Sequence, residues 1–368
     1  MFDPASEAQL AEAVRDAKGP LKVMGGGTRP IGNPVIGETL TTRGLSGITL
    51  YEPGALTIVA QSGTALAEIE ETLAKQNQRL PFEPVDHRGL FGKDGAPTIG
   101  GVVAANISGP RRIQAGACRD SLIGVRFVDG SGQVLKNGGR VMKNVTGYDL
   151  VKLMAGSYGT LGVISEVSFK LLPGIAASVT LTLKGQTVPQ AVATMSKALG
   201  SPFEVSGAAY RDGATFLRIE GFAESIAYRT EQLSKLLGGD IDVQQDREAV
   251  AAFWTTLGAL DGFAQGGEDI WRISVKPSDA PELVEALGAS HVMLDWGGGL
   301  IWAACQPGTD LRAKAPEIAG HRTLFRASDE TKQKLGTFQP EPAPLEALNK
   351  GLRAKFDPRG ILNPGLME

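Results

Sequence analysis

The chain has 368 residues, 42% of them hydrophobic, which suffices for a large core and, by length, for two domains. Its net charge of −3 leaves no basic excess to hold nucleic acid or an anionic membrane surface. Two distant cysteines, Cys118 and Cys305, and three histidines argue against a disulfide framework, an iron–sulfur cluster with its four thiolates, and a His-rich metal site.

The N-terminal residues MFDPASEAQLAEAVRDAK lack the basic and apolar regions of a signal peptide and read as a helix over Ser6–Lys18, with capping-box spacing at Ser6 and Gln9. No apolar run approaches the ~20 residues of a spanning helix. The expected compartment is therefore the cytoplasm, with any contact to the inner face of the cell membrane made through partner subunits. Leu21–Met24 is a short apolar strand running into Gly25-Gly26-Gly27-Thr28-Arg29, and Leu56–Ala60 is a second strand. A helix follows Ser62-Gly63-Thr64 and ends at Leu80-Pro81. Between Pro97 and Pro173 short strands (Gly124–Val128, Gln133–Leu135, Gly162–Leu172) alternate with Gly-rich turns, and Asp129-Gly130-Ser131-Gly132 signals a hairpin. Beyond Gly174 helices return at Pro189–Leu199 and Ser225–Leu237, with strands at Phe216–Ile219, Trp271–Val275 and Leu300–Ala304. A last helix, Leu345–Phe356, leads to the tail Ile361-Leu362-Asn363-Pro364-Gly365.

The first glycine loop is not a dinucleotide fingerprint of the G-x-G-x-x-G kind, because the spacing fails at Pro30. Three glycines after a strand still expose consecutive amides that can hold a diphosphate, although a plain tight turn has the same sequence. The second segment runs from Pro97 to Gly109, small and nearly featureless, with arginines (Arg111, Arg112, Arg119) and no carboxylate between Asp94 and Asp120. It suits either a planar ligand against the backbone or a close strand crossing. The third runs from Asn144 through Gly147 and Tyr148 to Gly159-Thr160-Leu161-Gly162-Val163-Ile164.

These segments, with the closing Phe356-Asp357-Pro358-Arg359-Gly360, resemble the FAD-binding domain shared by vanillyl-alcohol oxidase, p-cresol methylhydroxylase and the FAD-linked 2-hydroxyacid dehydrogenases. The resemblance implies an α+β chain. A two-lobed FAD-binding domain of the p-cresol methylhydroxylase type (residues 1–174) is followed by a smaller α+β substrate or partner domain (175–344) and a C-terminal helix and tail (345–368) that pack on the FAD domain. It assigns the diphosphate to Gly25, Gly26, Gly27, Thr28 and Arg29. The ribityl chain and ring fall to Pro97, Thr98, Gly100, Gly101, Ala104, Asn106 and Ser108. Gly159, Thr160 and Gly162 border the diphosphate, Val163 and Ile164 meet the adenine, and Asn363 returns the tail. Relatives that bind FAD covalently use a His or Cys near the first loop; none stands there, so the FAD is expected to be noncovalent.

Leu80–Pro84, His87, Gly109–Arg112, Val141–Asn144, Trp271–Ser274 and Asp295–Trp302 resemble, more narrowly, the FAD-binding E subunits of bacterial glycolate dehydrogenase (glycolate oxidase). That implies oxidation of glycolate to glyoxylate, with a second flavoprotein subunit and an iron–sulfur subunit as partners. The alternatives are a self-sufficient FAD dehydrogenase for another small hydroxy compound and an assembly subunit with structural or no FAD.

For a 2-hydroxy acid, Arg111, Arg112 and Arg272 are candidate carboxylate grips and His87 a candidate base, each against a structural alternative. Tyr148 reads as a buried structural tyrosine, against the alternative of a hydrogen-bond donor near the flavin. The Trp296 turn and Trp302 read as packing around a strand bend rather than as a partner-facing surface. The longer 2-hydroxyacid dehydrogenases carry a His/Glu metal site without an evident counterpart near His291 or His321, which points to glycolate chemistry mainly on the partner flavoprotein.

Overall fold

The computed structural model describes residues 1–139, 147–263 and 266–368. The segments Val141–Asn144 and Asn144–Thr146 read above lie outside the described residues. No helix among those described is long and apolar enough to cross a membrane.

β1 (Leu21–Met24) pairs in parallel with β2 (Glu38–Thr41). An antiparallel sheet follows, built from β3 (Ile48–Glu52), β4 (Thr57–Gln61), β6 (Leu122–Val128), β7 (Val134–Gly138) and β8 (Val163–Lys170) in the order β3-β4-β8-β6-β7. The short β5 (Gln78–Arg79) pairs with β9 (Leu172–Pro173). The hairpin expected at Asp129–Gly132 forms, with the Asp129 carboxylate accepting from the Ser131 and Gln133 amides at 2.9 Å and Gly132 at φ +83°. Helix Glu7–Asp16 begins where Ser6 caps it, its hydroxyl accepting from the Gln9 amide at 3.2 Å. Its apolar face (Leu10, Val14) packs on Leu21, Leu40 and the tail residues Ile361 and Leu362.

The remaining strands form one eight-stranded antiparallel sheet, larger than the sheet before it. They are β10 (Ala177–Lys184), β11 (Val205–Arg211), β12 (Ala214–Gly221), β13 (Asp242–Gln244), β14 (Asp269–Val275), β15 (His291–Asp295), β16 (Leu300–Cys305) and β17 (Gly320–Arg326), ordered β13-β10-β12-β11-β15-β16-β14-β17. Both faces of its central strands are covered, and period-two alternation decides what each covers. Trp271 and Ile273 on β14, Ile301 and Ala303 on β16, and Leu324 on β17 join a core with helices Val188–Leu199, Ala223–Leu237 and Ala280–Leu287. Their alternates, Ile270, Leu300, Trp302, Ala304 and Phe325, pack toward the five-stranded sheet in a core with Phe82, Ile99 and Phe169. Arg272 lies on that second face, with Trp302 and Thr323 directly opposite it on the neighbouring strands. A one-residue slip of β14 would replace Arg272 with an indole, so register fixes the chemistry of this face.

Candidate flavin cleft

A cleft of 440 Å³ lies between the two sheets. The Gly25–Arg29 loop is not part of its lining; it is a separate feature, made of main chain. The Gly25–Arg29 amides make no hydrogen bond among the described residues, although they sit in folded backbone. Close contacts fix this loop. A Cβ built at Gly25 would overlap the Thr98 hydroxyl, one at Gly26 would overlap the Ala96 carbonyl oxygen, and one at Gly159 would lie 3.5 Å from Val23. Three sequence segments thus converge on one run of free donors, the arrangement that holds a diphosphate without a helix. Asn363 joins them. Its side-chain oxygen accepts from the Val23 amide at 2.8 Å and its amide donates to the Tyr158 carbonyl at 2.8 Å. The chain fits FAD by this test: unpartnered amides where charge belongs, and missing side chains where a ligand must approach.

The assigned residues divide. Gly25, Gly26, Gly27, Thr28, Thr98 and Gly159 gather at the amide run. Asn106, Ser108 and Thr160 line the cleft. Pro97–Ser108 does not form the strand crossing weighed for it. Ile99–Ala104 is a helix, capped by the Thr98 hydroxyl accepting from the Gly101 amide at 3.3 Å. Gly100 within it is pressed on Ser62, a built Cβ falling 2.6 Å from the Ser62 Cβ, so its small size serves packing. Ala104 sits at the helix end, its carbonyl accepting from the Tyr158 amide at 2.8 Å. Gly162 is packed on Phe127, and Val163 and Ile164 are buried strand residues paired to Val128 and Phe127. Arg29 points away from its own loop, donating to the Val85 carbonyl with its Nε unpartnered. Burial lowers its guanidinium to about 10.

The chemistry of the cleft itself comes from side chains, and here the sequence reading is partly corrected. Arg111 is not a cleft residue. It pairs with Glu220 at 2.7 Å and Glu83 at 3.0 Å, because the Pro110 turn brings it onto β12. Arg112 does line the cleft and stacks 4.4 Å from the Trp296 ring. Arg272 lies 5.1 Å from the Trp296 ring and 5.9 Å from Trp302, and makes no hydrogen bond or ion pair among the described residues. Burial, with Arg112 alongside, lowers it to about 10, so it stays charged at neutral pH. His87 is 3% exposed, inside an aromatic box of Trp302 at 6.0 Å and Phe325 at 5.2 Å, and neither ring nitrogen has a partner. Burial, then the charges of Arg29 and Arg272, push it down to about 3, so the imidazole is neutral. Burial pushes the Asp295 carboxyl up to about 7, even though the Trp296 amide donates to it at 2.7 Å.

Tyr148 is 90% exposed, not buried, since its turn leads out to the surface before helix Leu150–Met154. Tyr158, unassigned by the sequence, lines the cleft at φ +52° with its ring 5.2 Å from Phe338. His321, Thr323 and Phe325 also line it, and only the alternation of Gly320–Arg326 could have signalled them. Trp296 is buried and donates to the Gly109 carbonyl at 3.1 Å, in keeping with the packing role read for its turn.

A family model described as an FAD binding domain matches residues 1–138. Glycolate oxidase subunit GlcE of Escherichia coli K12 is 38% identical over 370 residues, spanning 100% of this chain and 97% of that protein. The chain belongs to the GlcE family. Glycolate oxidase subunit GlcD of Bacillus subtilis is 27% identical, covering 88% of the GlcE-family chain and 81% of its own length. The mitochondrial D-lactate dehydrogenase [cytochrome] of Arabidopsis thaliana is 25% identical over 98% of this chain and 72% of its own. Among solved structures, an alkyldihydroxyacetonephosphate synthase superposes with a TM-score of 0.68 at 17% identity, covering 98% of this chain and 76% of its own. A glucooligosaccharide oxidase from Acremonium strictum superposes at 0.67 and 15%, covering 100% and 90%. At such identities these two speak for the fold, the two-lobed FAD-binding fold of the vanillyl-alcohol oxidase type. The GlcE-family chain is an FAD-dependent oxidoreductase.

Proposed function

We propose that this chain is the FAD-binding subunit of a glycolate dehydrogenase complex, and that the 2-hydroxy acid meets this chain's own cleft. FAD is held noncovalently; the first loop carries no His or Cys, and burial holds the Cys118 thiol protonated. A second flavoprotein and an iron–sulfur subunit receive the electrons, since this chain lacks the four thiolates of a cluster.

The observation that carries the reading is Arg272, an unpaired guanidinium between two indoles, near an imidazole whose nitrogens both lack partners. Buried polar groups are nearly always satisfied, so such a pair anticipates a ligand with a carboxylate and a neighbouring hydroxyl. Trp296 and Trp302 hold the guanidinium plane against rotation. Neutral His87 accepts a hydrogen bond from the substrate hydroxyl and is placed to take its proton. Its lowered basicity rises once a carboxylate offsets Arg272. Trp302 and Phe325, with ring centroids 4.9 Å apart, keep water from that side. Bound FAD supplies the two-electron acceptor. This reading replaces the expectation that glycolate is met mainly on the partner flavoprotein.

The test is reduction of the bound flavin by glycolate without oxygen, with the chain alone and in its complex. The chain should be yellow, release FAD on heating or in acid, and bleach with glycolate in the complex. Arg272→Gln in this subunit should suppress the bleaching of its own flavin. Bleaching confined to the partner's flavin, indifferent to Arg272, would place the substrate elsewhere.

A further inference from the structure

A second cavity, 260 Å³, opens on the other side of the junction between the two sheets. Its walls are the end of helix Leu66–Ala74 with β5, the link from β9 into β10, β12, and the first turns of helix Arg247–Ala259. Its charged lining is Arg79, Arg111, Arg218, Arg247 and Glu220. Two of those guanidiniums are already satisfied. Arg218 donates to both oxygens of Glu83 at 2.8 and 2.9 Å, and Arg111 bridges Glu83 and Glu220. Those two carboxylates are consumed: burial pushes both up, and the pairing with Arg218 and Arg111 outweighs it and holds both below the usual range.

Arg79 and Arg247 are left over. Arg79 makes one long bond to the Pro81 carbonyl at 3.4 Å, its Nε is buried without a partner, and it forms no ion pair among the described residues. Arg247 forms no hydrogen bond or ion pair there either. It also opens a helix, the end at which the backbone dipole favours an anion over a cation. Four guanidiniums thus face two carboxylates around a cavity with room for several waters, and a buried guanidinium donor without an acceptor is costly.

We propose that this junction cavity is a binding site for a small dianion, a phosphate or a short dicarboxylate, gripped by Arg79 from the first sheet's side and Arg247 from the second's. Planar guanidinium forks match both ligand types, whereas a monovalent halide leaves donors unused. The site is separate from the flavin cleft, yet the two share a stretch of chain. Arg111 borders this cavity, and its neighbour Arg112 lines the cleft. An occupant here would tie the two sheets together at the point where the cleft wall is anchored.

The experiment is titration of the flavin-loaded full chain with inorganic phosphate and, separately, malonate, at constant ionic strength set with sodium chloride. Heat of binding and melting temperature are both read. The expected result is a saturable response to at least one dianion that chloride does not give. That response should weaken tenfold or more in Arg79→Gln, weaken several-fold in Arg247→Gln, and persist in Arg272→Gln, which removes the cleft cation instead. Tighter binding of phosphate or of malonate identifies the class. No saturable response in the unmodified chain overturns the proposal, as does a response lost in Arg272→Gln and kept in Arg247→Gln. Arg247 is exposed on a helix end, so its variant decides the matter if Arg79→Gln fails to fold.

Discussion

The glycine loop and the lining of the cleft, the two candidate regions for FAD and substrate, are built from opposite materials. The wall around Gly25–Arg29 is main chain, and its chemistry is what remains when side chains are removed. The cleft lining is side chain, and its chemistry is what Arg272, Trp302 and Asp295 of the eight-stranded sheet present, with His87 from the facing loop. A backbone wall gives the same donors whatever ligand arrives, so it suits the invariant part of a cofactor. A side-chain wall can be changed residue by residue, so it suits the substrate. The two walls should therefore fail differently when mutated.

The largest effect is expected at the backbone wall. Gly26→Glu puts a Cβ where the Ala96 carbonyl oxygen already lies and a carboxylate among the free amides. The chain should fold, by circular dichroism, and purify colourless. A Gly26→Glu protein that stays yellow would show that the amide run is not where the diphosphate binds.

Arg272→Gln should do the reverse, leaving flavin content intact while KM for the 2-hydroxy acid rises about a hundredfold, in line with ~3 kcal/mol for a charge-assisted hydrogen bond. Arg272→Lys should recover part of this, because it restores the charge without the planar fork. Flavin loss in both variants would mean that the walls are not separable.

The third effect is on stability against pH. His87 titrates at about 3 when folded and near its ordinary 6.5 when unfolded, so the unfolded chain binds more protons as pH falls. Its contribution is fully present above about pH 6.5 and is lost toward pH 3, with about 2 kcal/mol gone by pH 5. Asp295 runs the other way. Its carboxyl is raised to about 7, so its contribution is complete below about pH 4 and is lost as pH rises through 7. Melting of His87→Phe should flatten the limb from pH 6.5 down to 3, and that of Asp295→Asn the opposing limb from pH 4 up to 7. Unchanged limbs would mean that solvent reaches these groups.

The same contrast explains what could be read from the sequence. Glycine runs are contiguous, so Gly25–Gly27 announced the backbone wall, and strand β1 and the Asp129 hairpin followed from local rules. The side-chain wall is assembled from residue 87, in a loop of the first half, and from residues 272, 295, 302, 321, 323 and 325, brought together by the strand order β15-β16-β14-β17. Arg272 was a candidate by residue type, but nothing local distinguishes it from Arg111, which the fold spends on Glu83 and Glu220. His321, Thr323 and Phe325 needed the register of β17 against β14 before their shared face was visible.

The smallest effect is expected within one dipeptide, where packing and ligand approach can be separated. Gly100 and Gly101 look alike in sequence, yet a Cβ at Gly100 falls 2.6 Å from the Ser62 Cβ and 2.8 Å from its carbonyl, both rigidly placed. Among the described residues outside its own helix backbone, the one atom within 4 Å of a Cβ built at Gly101 is the Thr98 hydroxyl, at 3.3 Å. Gly100→Ala should therefore lower stability through overpacking, by about 1–3 kcal/mol, seen as a lower melting temperature with or without flavin. Gly101→Ala should keep or gain up to ~1 kcal/mol from helix propensity. A methyl at Gly101 would reach the Thr98 hydroxyl, which itself sits against Gly25 of the amide run, so its expected cost falls on the approach of the cofactor. FAD should bind several-fold more weakly to Gly101→Ala, read as flavin retained per chain after dialysis. If Gly101→Ala keeps all its flavin, the open space beside Thr98 belongs to solvent, and the backbone wall ends one residue earlier than the glycines suggest.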